Sequence, residues 1–164
     1  MSLPNKVLPG FSAALFAQPT ATPTPLTTSA LSTVASVAAL AIAANQIPVE
    51  AIPAFGQDDA VASFAVAGSR QSDKIPTQAA PTSMTITAAW NPADPMLLLM
   101  RGDAYSGVID RTFVISATDG TGIVYYAFNG RVGEFKIDSQ PGAEAKCTFT
   151  VHPRGNQYGW SNNA

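Results

Sequence analysis

The chain has 164 residues, a formal net charge of −2 and a pI near 5.1, with 46% apolar but only 12% charged residues. That length suits one domain with a substantial core, whereas the charged share is about half of the usual ~25%. The charge balance argues against a basic nucleic-acid reader, the apolar content against acidic disorder, and the single Cys147 and single His152 exclude an intrachain disulfide and a histidine-cluster zinc site.

A surface this poor in charge has to be covered by something else: glycans after secretion, a membrane, or neighbours in a large assembly. Neither apolar stretch near the N-terminus supports export or insertion. Val7 to Ala17 has Lys6 as its only basic lead and is broken by Pro9-Gly10, unlike a signal peptide. Leu31 to Ala44 is Ala-rich and shorter than the roughly 20 residues that span a bilayer. The expected site of synthesis is therefore the cytoplasm, in keeping with an unpaired Cys.

Residues 1–30 read as an N-terminal arm. Pro4, Pro9, Pro19, Pro23 and Pro25, interleaved with Thr20, Thr22, Thr24, Thr27 and Thr28, oppose helix and disfavour strand. Phe11 to Phe16 is a possible short strand. The arm is either a free tail or a segment that orders on a neighbour, with Leu8, Phe11, Leu15 and Phe16 as anchors.

Residues 31–153 are expected to form the folded body. Leu31 to Ala44 fits helix by its Ala content and strand by Val34, Val37 and Ile42. Pro48 and Pro53 restrict Val49 to Ile52 to an edge strand or extended loop. Phe55-Gly56-Gln57-Asp58-Asp59 reads as a turn, and Val61 to Val66 as a strand. Residues 67–82, with Gly68, Pro76 and Pro81, read as a long polar loop whose length suggests an interaction role, with Arg70, Asp73 and Lys74 as its contact residues.

Met84, Ile86, Ala88 and Trp90 alternate with polar or small residues, as in a half-buried strand. Asp94 is placed to cap a helix and Pro95 to start it, with a stop expected at Gly102. Arg111 to Ala117 and Ile123 to Phe128 read as strands joined at Asp119-Gly120, and Asn129-Gly130 as a turn or a bulge. In the last hairpin, Phe135 and Ile137 face one way and Glu134, Lys136 and Asp138 the other. Pro141-Gly142 suits a type II turn, followed by Ala145, Cys147, Phe149 and Val151 inward and Glu144, Lys146, Thr148 and Thr150 outward. The expected register sets Lys136 opposite Glu144 and Glu134 opposite Lys146. Residues 154–164 read as a C-terminal arm anchored by Tyr158 and Trp160. The fold class is thus mainly β: a β-sandwich or partly closed barrel with one short helix at about 94–101, a long polar loop and two arms.

No chemistry stands out. His152 sits before Pro153 at a strand end, and Cys147 lies on an inward face as core filler. The carboxylate pairs Asp58 with Asp59, Asp94 with Asp103, and Glu134 with Asp138 are accounted for by a turn, a helix cap and an exposed strand face. Gly120-Thr121-Gly122 has no helix behind it to hold a phosphate, and Asp119-Gly120-Thr121 lacks the other acids of a calcium loop. Arg101, Arg111, Arg131 and Arg154 are dispersed. The expectation is a protein that is not an enzyme, with no cofactor, no metal and no sequence-specific DNA contact.

One pattern does carry information. Thr85-Ile86-Thr87, Trp90-Asn91-Pro92-Ala93-Asp94 and an apolar helix ending near Arg101-Gly102-Asp103 are followed by Phe113-Val114-Ile115, Gly120 and Tyr126-Ala127-Phe128-Asn129-Gly130-Arg131-Val132. Ile137-Asp138 then leads through Pro141-Gly142-Ala143 to Lys146-Cys147-Thr148-Phe149-Thr150-Val151. Over about residues 83–152 this order resembles the major tail tube proteins of siphophages. The resemblance implies a β-sandwich whose protomers form hexameric rings. These stack into the hollow virion tail around a tape measure protein, end on tail terminator and baseplate proteins, and later pass DNA. It also implies that arms and loop bridge subunits. Glu134, Lys136, Asp138, Glu144 and Lys146 are then the candidate lumen face, near-neutral to acidic and so non-adhesive to DNA. Two other readings suit the composition: a secreted or surface β-sandwich binding module, and another virion part such as a tail terminator or decoration protein.

Overall fold

The alternation of Met84-Thr85-Ile86-Thr87-Ala88-Ala89 dictates a strand with one face in a core. In the computed structural model, which describes residues 12–21, 34–65, 67–68, 72–118 and 122–162, that strand forms. Met84, Ile86 and Ala88 are buried, and Thr85 and Ala89 are exposed.

The elements in chain order are β1 (Ser12–Ala17), α1 (Val34–Leu40), a 3-10 turn (Ala43–Asn45), β2 (Gln46–Ile47), β3 (Gln57–Ala65), β4 (Ser72–Pro81), β5 (Met84–Ala89), α2 (Pro95–Ser106), β6 (Asp110–Thr118), β7 (Ile123–Asp138) and β8 (Lys146–Asn162). Six strands form one antiparallel sheet in the order β2-β1-β6-β7-β8-β5, curled into a half-barrel. β3 and β4 form a separate two-stranded sheet.

Residues 46–50 join the two edges of the curled sheet. Gln46 and Ile47 pair with Phe16 and Leu15 of β1, and Val49 bridges Ala88 of β5. The Glu50 N–H donates to the Thr87 carbonyl (2.9 Å) and the Ala89 N–H to the Pro48 carbonyl (3.2 Å). One short segment thus satisfies backbone groups on both margins that would otherwise be open edges. Inside the curl, Phe113, Phe128 and Phe149 are fully buried. Phe113 stacks on Phe128 and Phe149 on Phe135. Met96, Leu97 and Met100 of α2 pack against this core. On the other face, Val37 of α1 packs with Phe16, Val114, Tyr125 and Ala127. β6 is therefore covered on both sides, with Arg111 to Ile115 all buried.

The fold class agrees with the sequence expectation, and several details differ. Ser12–Ala17 is not part of an arm. It is an interior strand paired with β6 from Ser12↔Thr118 to Ala17↔Phe113, because Leu15 and Phe16 bury on opposite faces of the sheet. Val34–Leu40 resolves to helix. Gly102 does not end α2: the helix runs to Ser106 and stops at Gly107, whose φ of 67° is left-handed and whose N–H donates to the Asp103 carbonyl. A helical Gly costs about 1 kcal/mol against Ala and is tolerated inside a well-packed helix. Asp94 caps α2 as expected, accepting from the Met96 (2.8 Å) and Leu97 (3.2 Å) N–H groups, with Pro95 in the first turn.

The expected 67–82 loop is instead mostly β4. The last hairpin has its Pro141-Gly142 turn, with Gly142 at φ 80° and the Ala143 N–H donating to the Gln140 carbonyl. Its strands part at Asp138 and Lys146, so the connection is longer than a tight turn. Asp138 opposes Lys146, and Lys136 opposes Thr148. Lys146 pairs with Glu50 (2.6 Å) rather than with Glu134. A bulge between Gly133 and Lys136 adds one residue to β7 and puts Glu134 at φ 53°. Thr150, expected to face outward, is buried. The expected C-terminal arm from 154 onward is β8 itself, paired with β7 as far as Asn162↔Ile123 after a second irregularity beside Asn129 that contains Gly155 at φ 74°.

Candidate assembly surface

Residues 57–65 carry Val61 and Phe64 in a loosely alternating run, enough for one strand. Residues 72–81 contain Pro76 and Pro81 and read as loop on their own. They become a strand by pairing with β3, from Gln57↔Pro81 to Ala65↔Ser72, with a register shift between Asp59 and Val61 that admits Pro76. The Thr77 hydroxyl donates to the Ala60 carbonyl (2.9 Å), and the Thr82 hydroxyl to Asp58 Oδ2 (2.9 Å) near the root.

This hairpin buries almost nothing. Residues 58–65 and 74–80 are exposed, which means both faces. Phe64 is 64% exposed, and Val61 and Ile75 55% each. Ile75 opposes Ala62, two residues from Phe64, so Phe64 and Ile75 share a face. An isolated two-stranded hairpin is marginal in water, and exposed clustered apolar side chains mark an interaction surface. Asp73 and Lys74 pair with Phe64 and Ser63 on this hairpin, with Lys74 exposed.

The remaining predicted contact residues scatter. Phe11 and Arg70 lie outside the described residues. Leu15 and Phe16, expected to anchor an arm on a neighbour, are instead sealed in the chain's own core at 1% and 7% exposure. Tyr158 and Trp160 sit in the β8 ladder opposite Ala127 and Tyr125. Glu134, Lys136, Asp138 and Glu144 are exposed and Lys146 is half-buried. They gather where β7 and β8 part, three carboxylates against two lysines.

Sequence reasoning missed the ion pairs that brace the body. Arg111 and Asp103 are buried and paired through two contacts, Nε to Oδ2 and Nη2 to Oδ1 (2.8 Å). Asp110 receives both Arg131 (2.9 Å) and Arg154 (2.6 Å). Arg131 also donates to the Gly107 and Val108 carbonyls just past α2 (3.1 and 3.2 Å). Partners eight to forty-four residues apart follow no sequence spacing rule. Exposed His152 has Nδ1 2.8 Å from the Ser83 hydroxyl. Burial pushes the Cys147 thiol above its ordinary value. Among the described residues, no group of three or more His, Cys, Asp or Glu side chains is placed to hold a metal, and no helix is long and apolar enough to cross a membrane.

No protein-family model matches this sequence, and no curated protein matches it. Solved structures do match its fold. A chain of the anti-feeding prophage baseplate, a cryo-EM structure symmetrised six-fold, superposes with a TM-score of 0.64 at 12% identity over 97% of both chains. A chain of the anti-feeding prophage tube-terminating cap gives 0.62 at 13% identity over 100% of both. The SPP1 tail tube gives 0.52 at 11% identity, over 94% of this chain and 77% of that one. Along nearly its whole length, this chain has a phage tail-tube-like fold.

Proposed function

We propose that the chain is a structural subunit of a phage-tail-like tube, made in the host cytoplasm and incorporated in the virion tail. Its protomers pack as six-membered rings that stack around a hollow channel. The observation that carries this reading is the β3–β4 hairpin, exposed on both faces, on a body whose fold matches baseplate and cap chains over nearly their whole length and a tail tube chain over 77% of its length. A hairpin of that kind needs a neighbour to bury it, and the low overall charge suits a surface that becomes interface.

In this role the protein works by geometry and not by catalysis. Its main partner is itself. A tape measure protein fills the growing tube, terminator and baseplate proteins close its ends, and DNA passes without sequence-specific contact. The charged cluster of Glu134, Lys136, Asp138, Glu144 and Lys146 is the proposed channel lining, since its near balance of signs offers a polyanion little attraction. A second reading, a ring that ends a tube, is supported by the likeness to the tube-terminating cap.

Sedimentation velocity over a concentration series tests the proposal. A tube subunit gives hexamers and then larger species that grow with concentration. A terminating ring stops at one discrete oligomer. A monomer at every concentration contradicts both.

A further inference from the structure

Beside the root of the β3–β4 hairpin lies an open cavity of about 290 Å³ lined by Ala13, Ile52, Phe55, Ile115, Ala117 and Tyr126. Its walls are apolar, and Phe55 and Tyr126 meet edge to face with ring centres 5.0 Å apart. The core does not fill it. Towards the far end of the same hairpin stands Phe64, among the described residues the most exposed of its large apolar side chains, with Ile75 on the same face.

We propose that Phe64 of one subunit inserts into this cavity on a second copy of the chain, a contact that rests on the tube-subunit reading and names the surface that receives the hairpin. The chain cannot make the contact with itself. Phe55 lies two residues before Gln57, where β3 starts, and Phe64 is seven residues beyond Gln57 along an extended strand. At roughly 3.3 Å per residue the knob stands more than about 20 Å from its own cavity. Tip and root therefore meet only between molecules. Such a contact joins two different patches, so it is head-to-tail, and it closes into a ring when the rotation per step divides a full turn. The knob is aromatic and the hole is apolar with an aromatic wall, which is the pairing that dominates buried interface anchors. Ile75, at the rim, helps to exclude water.

The test uses two full-length single-cysteine variants, Ala65→Cys beside the knob and Ala13→Cys at the cavity wall, mixed and treated with a short bis-maleimide. Cys147 is fully buried, and the parent protein provides the blank. The expected result is a covalent heterodimer in the mixture. Its yield falls about tenfold when Phe64→Ser is added to the Ala65→Cys variant, as loss of an anchor worth about 1.4 kcal/mol would produce. Phe64 is exposed, so this variant keeps the parent's circular dichroism and melting temperature. Assembly without the cross-link, or a cross-link that Phe64→Ser leaves unchanged, overturns the knob-and-cavity contact while leaving the tube reading intact. Absence of both assembly and cross-link overturns the two together.

Discussion

The Arg111 guanidinium and the Asp103 carboxylate meet through two parallel contacts inside the body, with side chains only 5% and 3% exposed. Asp103 belongs to α2 and Arg111 to β6, and Arg111 Nη1 also donates to the Pro19 carbonyl (2.7 Å) and more distantly to that of Gln18 (3.4 Å). One side chain thus ties the C-terminal half of the helix, the central strand and the chain leaving β1. The paired fork geometry satisfies charges that burial alone would penalise.

Removing one partner should be costly. Asp103→Ala leaves the guanidinium buried and uncompensated, so urea unfolding of the variant should show a loss of about 3–5 kcal/mol. Replacing the pair together, Asp103→Leu with Arg111→Met, should cost far less, because no charge is left stranded. A single-variant loss no larger than the double variant's would contradict this assignment.

The cap of α2 is a second, milder case. Asp94→Ala should destabilise by about 1 kcal/mol in thermal or urea unfolding, and Asp94→Asn should recover most of it. The carboxylate serves the Met96 and Leu97 N–H groups, so a neutral acceptor of the same shape suffices.

The β7 bulge makes a prediction of opposite sign. Glu134 holds φ at 53°, a left-handed conformation that costs an L-residue about 1–2 kcal/mol. Glu134→Gly should therefore be neutral or stabilising by up to about 1 kcal/mol, and Glu134→Val destabilising, both measured by chemical denaturation. A clear loss with Gly would mean that the glutamate side chain itself supports the bulge.

These three sites show what was legible in the sequence. Asp94-Pro95 was readable because capping is a local code: acceptor, fixed φ and first turn are adjacent residues. The inward row of Cys147, Phe149 and Val151 was readable because strand periodicity is local too. Gly102 reads as the stop of α2, whereas packing carries the helix on to Gly107. The bulge at Glu134 has no local signature, and it shifts every pairing beyond it. β4 became a strand despite Pro76 because β3 offered it a partner. Leu15 and Phe16 looked like arm anchors since proline-rich flanks hide an interior strand whose two partners, β2 and β6, lie far along the chain. At the candidate surface, the outward row of Glu134, Lys136 and Asp138 follows from strand alternation and is exposed, but Phe64 and the cavity are not legible, because exposure of an apolar side chain is a property of the folded surface alone.

Alkaline pH should weaken the fold. Burial raises the Cys147 thiol above its ordinary 9.0, and the hydrogen bond with Glu50 raises Lys146 above 10.5. For both groups the folded state holds the proton more tightly than the unfolded chain. The stability they contribute is complete below the ordinary value and is lost as pH rises through the folded one. Urea midpoints should thus be flat up to pH 8 and fall above about pH 9, with Cys147→Ala showing a shallower decline after correction for its own cavity cost. A thiol reagent should react with Cys147 only on unfolding.

Whether this chain builds rings and tubes is decided by negative-stain electron microscopy of the purified protein, before and after concentration. A tube subunit gives six-fold rings in end view and hollow tubes that lengthen as the protein is concentrated. A field of small, uniform particles that remain monomeric at the highest concentration would contradict that reading.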